Sequence, residues 1–115
     1  LGIGPEDDRE KAQQLAGQIA RMRIFEDDQG KMNLSLLDIG GEALVVPQFT
    51  LYADTSRGHR PSFTGAAAPD QARGLVETFA LLLAQEGVLT RQGRFGTHML
   101  VSIYNDGPVT IQLAT

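Results

Sequence analysis

The chain has no cysteine. That excludes disulfides, thiolate nucleophiles and zinc–sulfur centres together, and it suits a reducing compartment. Histidine is almost as scarce: only His59 and His98 occur, and no close carboxylate pair accompanies either. A metal site or a Ser–His–Asp arrangement therefore finds too few groups to build it. Neither G-x-G-x-x-G nor G-x-x-x-x-G-K-[ST] is present, so the 13 glycines read as turn residues and not as a phosphate cradle. No apolar run reaches the length of a membrane span, and no signal-peptide pattern is visible, which makes a cytosolic location the default expectation. Positive charge is also short: 10 Lys and Arg against 14 Asp and Glu give a net charge of −4, which disfavours a broad nucleic-acid-binding face but leaves room for a small basic patch.

What remains is an ordinary globular composition, with 42% hydrophobic and 21% charged residues. At 115 residues a second core would be too small to stand alone, so one domain over residues 1–115 is expected. The chain opens on Leu1, and "LGIG" reads as the tail of an apolar strand followed by a turn, as in a processed or truncated form.

Residues 5–25, "PEDDREKAQQLAGQIARMRIF", predict a helix opened by Pro5, with acidic residues at its start and Arg21 and Arg23 near its end. Ala12, Leu15, Ala16, Ile19, Ala20 and Met22 give it one apolar stripe. Residues 32–54 read as two strand-like stretches parted by Gly40-Gly41, and alternation places Leu44, Val46, Gln48, Thr50 and Tyr52 on one face. Both faces begin apolar, as in a strand covered on two sides, while Pro47 predicts an edge or a bulge. "TSRGHRPSFTGAA" is a basic loop. A second helix runs from Pro69 to a stop at Gly87, with Leu75, Val76, Phe79, Leu82 and Leu83 as its buried stripe. "THMLVSIYN" and residues 109–113 alternate as two further strands around the turn formers Asn105-Asp106-Gly107-Pro108. Helix, strands, helix, strands together predict a mixed α/β domain.

An enzyme with so few titratable groups would have to work through backbone amides and carbonyls, hydroxyls and the substrate itself. That suffices only for an activated bond such as an ester, where pre-organised amide donors stabilise a developing oxyanion. "QFTLYAD" beside the basic "SRGHR" suits a carbonyl site next to a phosphate.

"VVPQFTLYADTSRGHRPSF", "GRFG" and "NDGPVTIQL", together with "RIFEDDQGKMNLSLLDIGGEALVV", resemble the D-aminoacyl-tRNA deacylase family, in order and over essentially the whole chain. The resemblance implies a mixed, barrel-like sheet with two main helices. It also implies a homodimeric, cofactor-free hydrolase that cleaves the ester between a D-amino acid and the 3′ end of tRNA. On this sequence it assigns catalysis to Gln48, Phe49 and Thr50, with Gln48 holding the ester end and nearby amides as oxyanion donors. A Thr hydroxyl without an adjacent base is a poor nucleophile, so Thr50 is read as orienting, with the terminal ribose 2′-hydroxyl activating water. Gly107-Pro108 is implied to be cis and to reach into the neighbouring subunit's pocket, its carbonyls leaving no room for an L side chain. Cis bonds form only about 5–6% of X-Pro bonds, so that expectation comes from the resemblance and not from the dipeptide.

Phe95 and Met99 match positions near the family's pocket, and Arg57 and Arg60 could steer tRNA phosphates. Plainer roles are open to each: core for Phe95 and Met99, a solvated loop for the arginines, a β-branched strand residue for Thr50. Two features depart from the family pattern. Pro47 stands where Ser is usual, as in a paralogous branch with a trans Gly-Pro that edits L-alanyl-tRNA. The family's N-terminal β-hairpin would also precede the point matching Leu1. Beside the D-specific deacylase there thus stand two alternatives: that relaxed-chirality branch, and a non-catalytic dimeric module that binds a tRNA end.

Overall fold

The computed structural model describes residues 1–115. Its first helix, α1 (Arg9–Arg21), begins where Asp8 supplies a cap: the carboxylate accepts a hydrogen bond from the Lys11 amide at 2.9 Å. Such a cap stabilises a helix by about 1 kcal/mol. Pro5 therefore lies ahead of the helix and not in its first turn, because the neighbouring Asp7 carboxylate is occupied by the Gly4 amide at 2.7 Å. The helix also ends earlier than the apolar spacing predicts. Met22 turns extended, and Phe25 enters strand β1 (Phe25–Glu26), which pairs antiparallel with β2 (Met32–Leu34). The intervening turn is tied by the Asp27 carboxylate, which accepts from the amides of Gln29 and Lys31 at 2.9 and 3.0 Å. The Lys31 bond foremost lowers the pKa of Asp27 below the usual carboxylate range.

Helix α2 (Pro69–Gln85) starts on Pro69, and Gly87, at φ 104°, releases the chain from its end, both as the sequence predicts. It crosses between β3 (Glu42–Val45) and β4 (Leu89–Gln92), which pair in parallel with Val45 opposite Gln92. The alanine face of α1, Ala12, Ala16 and Ala20, packs in one cluster with Val76, Phe79, Ala80, Leu82 and Leu83 of α2. Small side chains on one helix let the two axes approach closely. Ile3, Val45 and Val88 close the cluster from the sheet side, and Leu75 is only half-buried at its margin. At the far end of the pair Arg21 bridges to Glu86 at 2.6 Å.

Three strand expectations are corrected. β3 stops at Val45, and residues 49–52 form a 3-10 turn (Phe49–Tyr52) in place of a continuing strand. Pro47 has no N–H to donate, and Gln48 turns the chain after the last link to the β4 side, Gly93 N to Val45 O at 2.8 Å. Only one face of β3 is covered, for Leu44 is exposed while Val45 is buried. Residues 97–104 and 109–113 alternate in sequence but form no strand, since alternation selects a face and a strand still needs a ladder partner. Residues 98–115 make no backbone–backbone hydrogen bond, and Leu100 is 95% exposed. The α/β class holds, with two helices and two two-stranded sheets, but no closed barrel forms.

Candidate active site

The carboxyl ends of β3 and β4 emerge side by side. Past β3 the chain is held by the first residue: Leu1 N donates to Val46 O at 2.7 Å, and Gln48 N donates to Leu1 O at 2.9 Å. With its amide fixed, Gln48 opens the 3-10 turn, and Leu51 N donates back to Gln48 O at 3.3 Å. The amides of Phe49 and Thr50 are the leading N–H groups of that turn, which such a helix leaves without an internal acceptor. Both residues are exposed, and neither amide donates to a loop carbonyl.

Within the turn the Gln48 side-chain amide donates to the Thr50 hydroxyl oxygen. No carboxylate or imidazole hydrogen-bonds to Thr50, so its hydroxyl is oriented by Gln48 without being activated by a base. The Phe49 ring meets Phe63 edge-on, with centroids 4.9 Å apart and planes at 78°. That contact joins the turn to the following loop. The loop is pinched at its base by two hydrogen bonds, Asp54 N to Ser62 O at 2.8 Å and Ser62 N to Asp54 O at 2.9 Å. Asp54 also accepts from Ser56, which lowers its pKa. Arg57 and Arg60 project from the pinched loop, exposed and outside both ion pairs of the chain.

Past β4, Gly93 explains how Met99 reaches the same corner. A Cβ on Gly93 would stand 3.1 Å from the Met99 sulfur and 3.6 Å from Pro47 Cδ, so the bare glycine lets both approach. The sulfur also accepts from Arg94 N at 3.3 Å. Phe95 lies apart from this corner. It packs against the core cluster beneath the Arg73 guanidinium, 4.9 Å from its ring centre. His59 and His98 are exposed, and no group of three His, Cys, Asp or Glu side chains forms.

The peptide bond between Gly107 and Pro108 is cis. Both residues are exposed, and neither is hydrogen-bonded to the chain's own Gln48–Thr50 turn. No backbone hydrogen bond thus joins the turn to the Gly-Pro segment within one chain. Nor does the cleft beside α1 unite them. At about 710 Å³ it lies between α1, Tyr52, Phe79 and residues 110–115, and it includes none of Gln48, Phe49, Thr50, Gly107 and Pro108. The chemistry of the turn, and not cleft size, marks the site.

Comparison with known proteins places the chain in a family. The sequence profile of the D-Tyr-tRNA(Tyr) deacylase family matches residues 1–114. The chain belongs to this family. A D-aminoacyl-tRNA deacylase of Thermomicrobium roseum is 58% identical over 113 residues, covering 98% of this chain and 73% of the relative. One from Deinococcus radiodurans is 53% identical over 113 residues, covering 98% and 78%. Among solved structures, a c-Myc DNA unwinding element binding protein superposes with a TM-score of 0.90 at 38% identity, covering 100% of this chain and 78% of that one.

Two features of the corner escaped the sequence reading: the free amides at the start of the 3-10 turn, and the glycines that press on it. Strand alternation hid the first. No pattern in the sequence pointed to the second.

Proposed function

We propose that this chain hydrolyses the ester joining a D-amino acid to the 3′ end of tRNA, releasing free D-amino acid and tRNA. Family membership over residues 1–114, with relatives named D-aminoacyl-tRNA deacylases at 53–58% identity, carries the reading. The turn supplies chemistry that fits it. The ester carbonyl oxygen sits against the amides of Phe49 and Thr50, which receive the charge as water adds to the carbonyl carbon. The Gln48 side chain, steadied by Thr50, holds the ester end. The ribose 2′-hydroxyl of the terminal adenosine orients the attacking water. The bond to the 3′ oxygen then breaks, and that oxygen takes a proton as the acid leaves.

The chain acts as a homodimer in this reading. Gly107-Pro108, exposed and not hydrogen-bonded to its own turn, is offered to the partner subunit's turn, where main-chain carbonyls exclude an L side chain. Met99 walls the pocket beside Pro47, and Arg57 and Arg60 approach the phosphates of the acceptor end. The reading uses no metal or organic cofactor. It takes place in the cytoplasm, and no helix of the chain is long and apolar enough to cross a membrane.

The test is hydrolysis of matched D-tyrosyl-tRNA and L-tyrosyl-tRNA by the purified chain, with L-alanyl-tRNA in parallel. Rapid loss of the D ester alone is expected. Loss of L-alanyl-tRNA instead would transfer the chain to a relaxed-chirality activity, and loss of none would overturn the proposal.

A further inference from the structure

Tyr52 ends the turn that carries Gln48, Phe49 and Thr50, and its ring lies on the opening residues of the chain. A Cβ on Gly4 would stand 2.7 Å from the Tyr52 hydroxyl oxygen and 3.2 Å from Cζ. A Cβ on Gly2 would stand 3.1 Å from Tyr52 Cε2, 3.1 Å from Leu51 Cβ and 3.3 Å from the Gln48 carbonyl oxygen. Neither glycine has a positive φ, so what each position requires is space and not backbone freedom. Gly4 is itself buried.

Asp7 completes the contact. Its carboxylate takes the Gly4 amide at 2.7 Å and pairs with Lys11 at 3.3 Å, which fixes the Gly4–Asp7 turn beneath the ring. Burial first, and then the charge of Asp7 and a hydrogen bond to it, raise the pKa of the Tyr52 hydroxyl, with Lys11 opposing. A Cβ on Gly4 would stand 3.4 Å from Asp7 Oδ2 as well, so carboxylate and hydroxyl flank the same glycine.

We infer that Tyr52, clasped by Gly2, Gly4 and Asp7, is a positioning residue that sets where the Gln48–Thr50 turn presents its amides and side chains to the ester. The inference deepens the deacylase reading and rests on it for the identity of the reaction. Tyr52 touches no reacting atom. It acts because the turn is a single 3-10 unit whose two ends are both held by residues 1–7: Gln48 through Leu1 and Tyr52 through Gly4 and Asp7. A shift of the ring moves the whole unit. Displacement of a catalytic group by about 1 Å costs on the order of 10²-fold in rate.

The experiment compares the wild-type chain with Gly4→Ala, Tyr52→Phe and the double variant. Each is scored for kcat and KM on D-tyrosyl-tRNA, melting temperature, and the amide NMR shifts of Phe49 and Thr50. Gly4→Ala drives a methyl group toward the hydroxyl oxygen and is expected to lower kcat by about 10²-fold with KM nearly unchanged. Tyr52→Phe deletes that oxygen, so the double variant is expected to recover the kcat of Tyr52→Phe alone, and its Phe49 and Thr50 shifts to return toward wild type. A general loss of packing would not produce such rescue. A wild-type kcat in Gly4→Ala, or a double variant no better than Gly4→Ala, would overturn the inference. Should Gly4→Ala not fold, Gly2→Ala takes its place, since its methyl group would stand 3.1 Å from Tyr52 Cε2: a lowered kcat at unchanged KM and melting temperature supports positioning, and a wild-type kcat overturns it. If the wild type cleaves no D ester, the deacylase reading fails separately, and the NMR shifts still decide whether the clasp moves the turn.

Discussion

At the scale of single residues, the candidate chemistry depends on which atoms of Gln48, Phe49 and Thr50 are engaged. The Thr50 hydroxyl receives the Gln48 amide and no base contacts it, so in the proposed mechanism its part is to hold Gln48 in place. Thr50→Val is therefore expected to keep deacylation within about tenfold of wild type, whereas loss of a true nucleophile costs on the order of 10⁶-fold in kcat. Single-turnover hydrolysis of D-tyrosyl-tRNA reads the difference directly. The sequence singles out Gln48, Phe49 and Thr50 as candidates, but the geometry of the stretch was not legible in it. Counting alternate positions from Leu44 to Tyr52 assumes a strand, and Pro47, by withholding an N–H, ends the strand before the residues that matter. A stretch read as one face of a sheet is instead a turn with free amides at its head.

Among the elements, the two helices were the most legible, because their ends are marked by local chemistry. Pro69 and Gly87 bracket α2 where expected, while α1 starts at Arg9 because Asp8 caps it and Asp7 is committed elsewhere. The strands near the chain's end were read from alternation alone, and alternation says nothing of a partner. The stability of the helical layer centres on Leu83, 1% exposed at the meeting of α1 and α2. Leu83→Ala is expected to destabilise the fold by about 2–5 kcal/mol, read as a lowered midpoint in urea unfolding. The Arg21–Glu86 pair, with the arginine well exposed, contributes little by comparison.

For the molecule as a whole, the proposed exchange of Gly107-Pro108 between subunits would make a complete site a matter of two chains. Gln48→Ala and Pro108→Ala chains are each expected to be inactive alone. Co-expressed in equal amounts, they should regain about a quarter of wild-type activity, because half of the dimers are mixed and each mixed dimer holds one intact site. No recovery, or full activity in a sedimenting monomer, would refute the exchange. The family resemblance was legible over the whole chain, since it rests on ordered segments and needs no geometry. A shared fold does not by itself assign activity, so the similarity to a c-Myc DNA unwinding element binding protein carries no DNA binding to this chain.

The parallel pairing of β3 and β4 has a consequence for how such a protein can diverge. Both strands release their chains at one edge, the first into residues 46–52 and the second into residues 93–99, while α2 returns from the opposite edge. Open parallel sheets place ligands beyond the carboxyl ends of their strands. Under the proposed function, replacements that retune substrate preference therefore fall in these two short stretches, and the helical layer behind them is free to drift for durability alone. Variation across a library of such chains should accordingly separate into two blocks that change independently, one recorded in selectivity and the other in melting temperature.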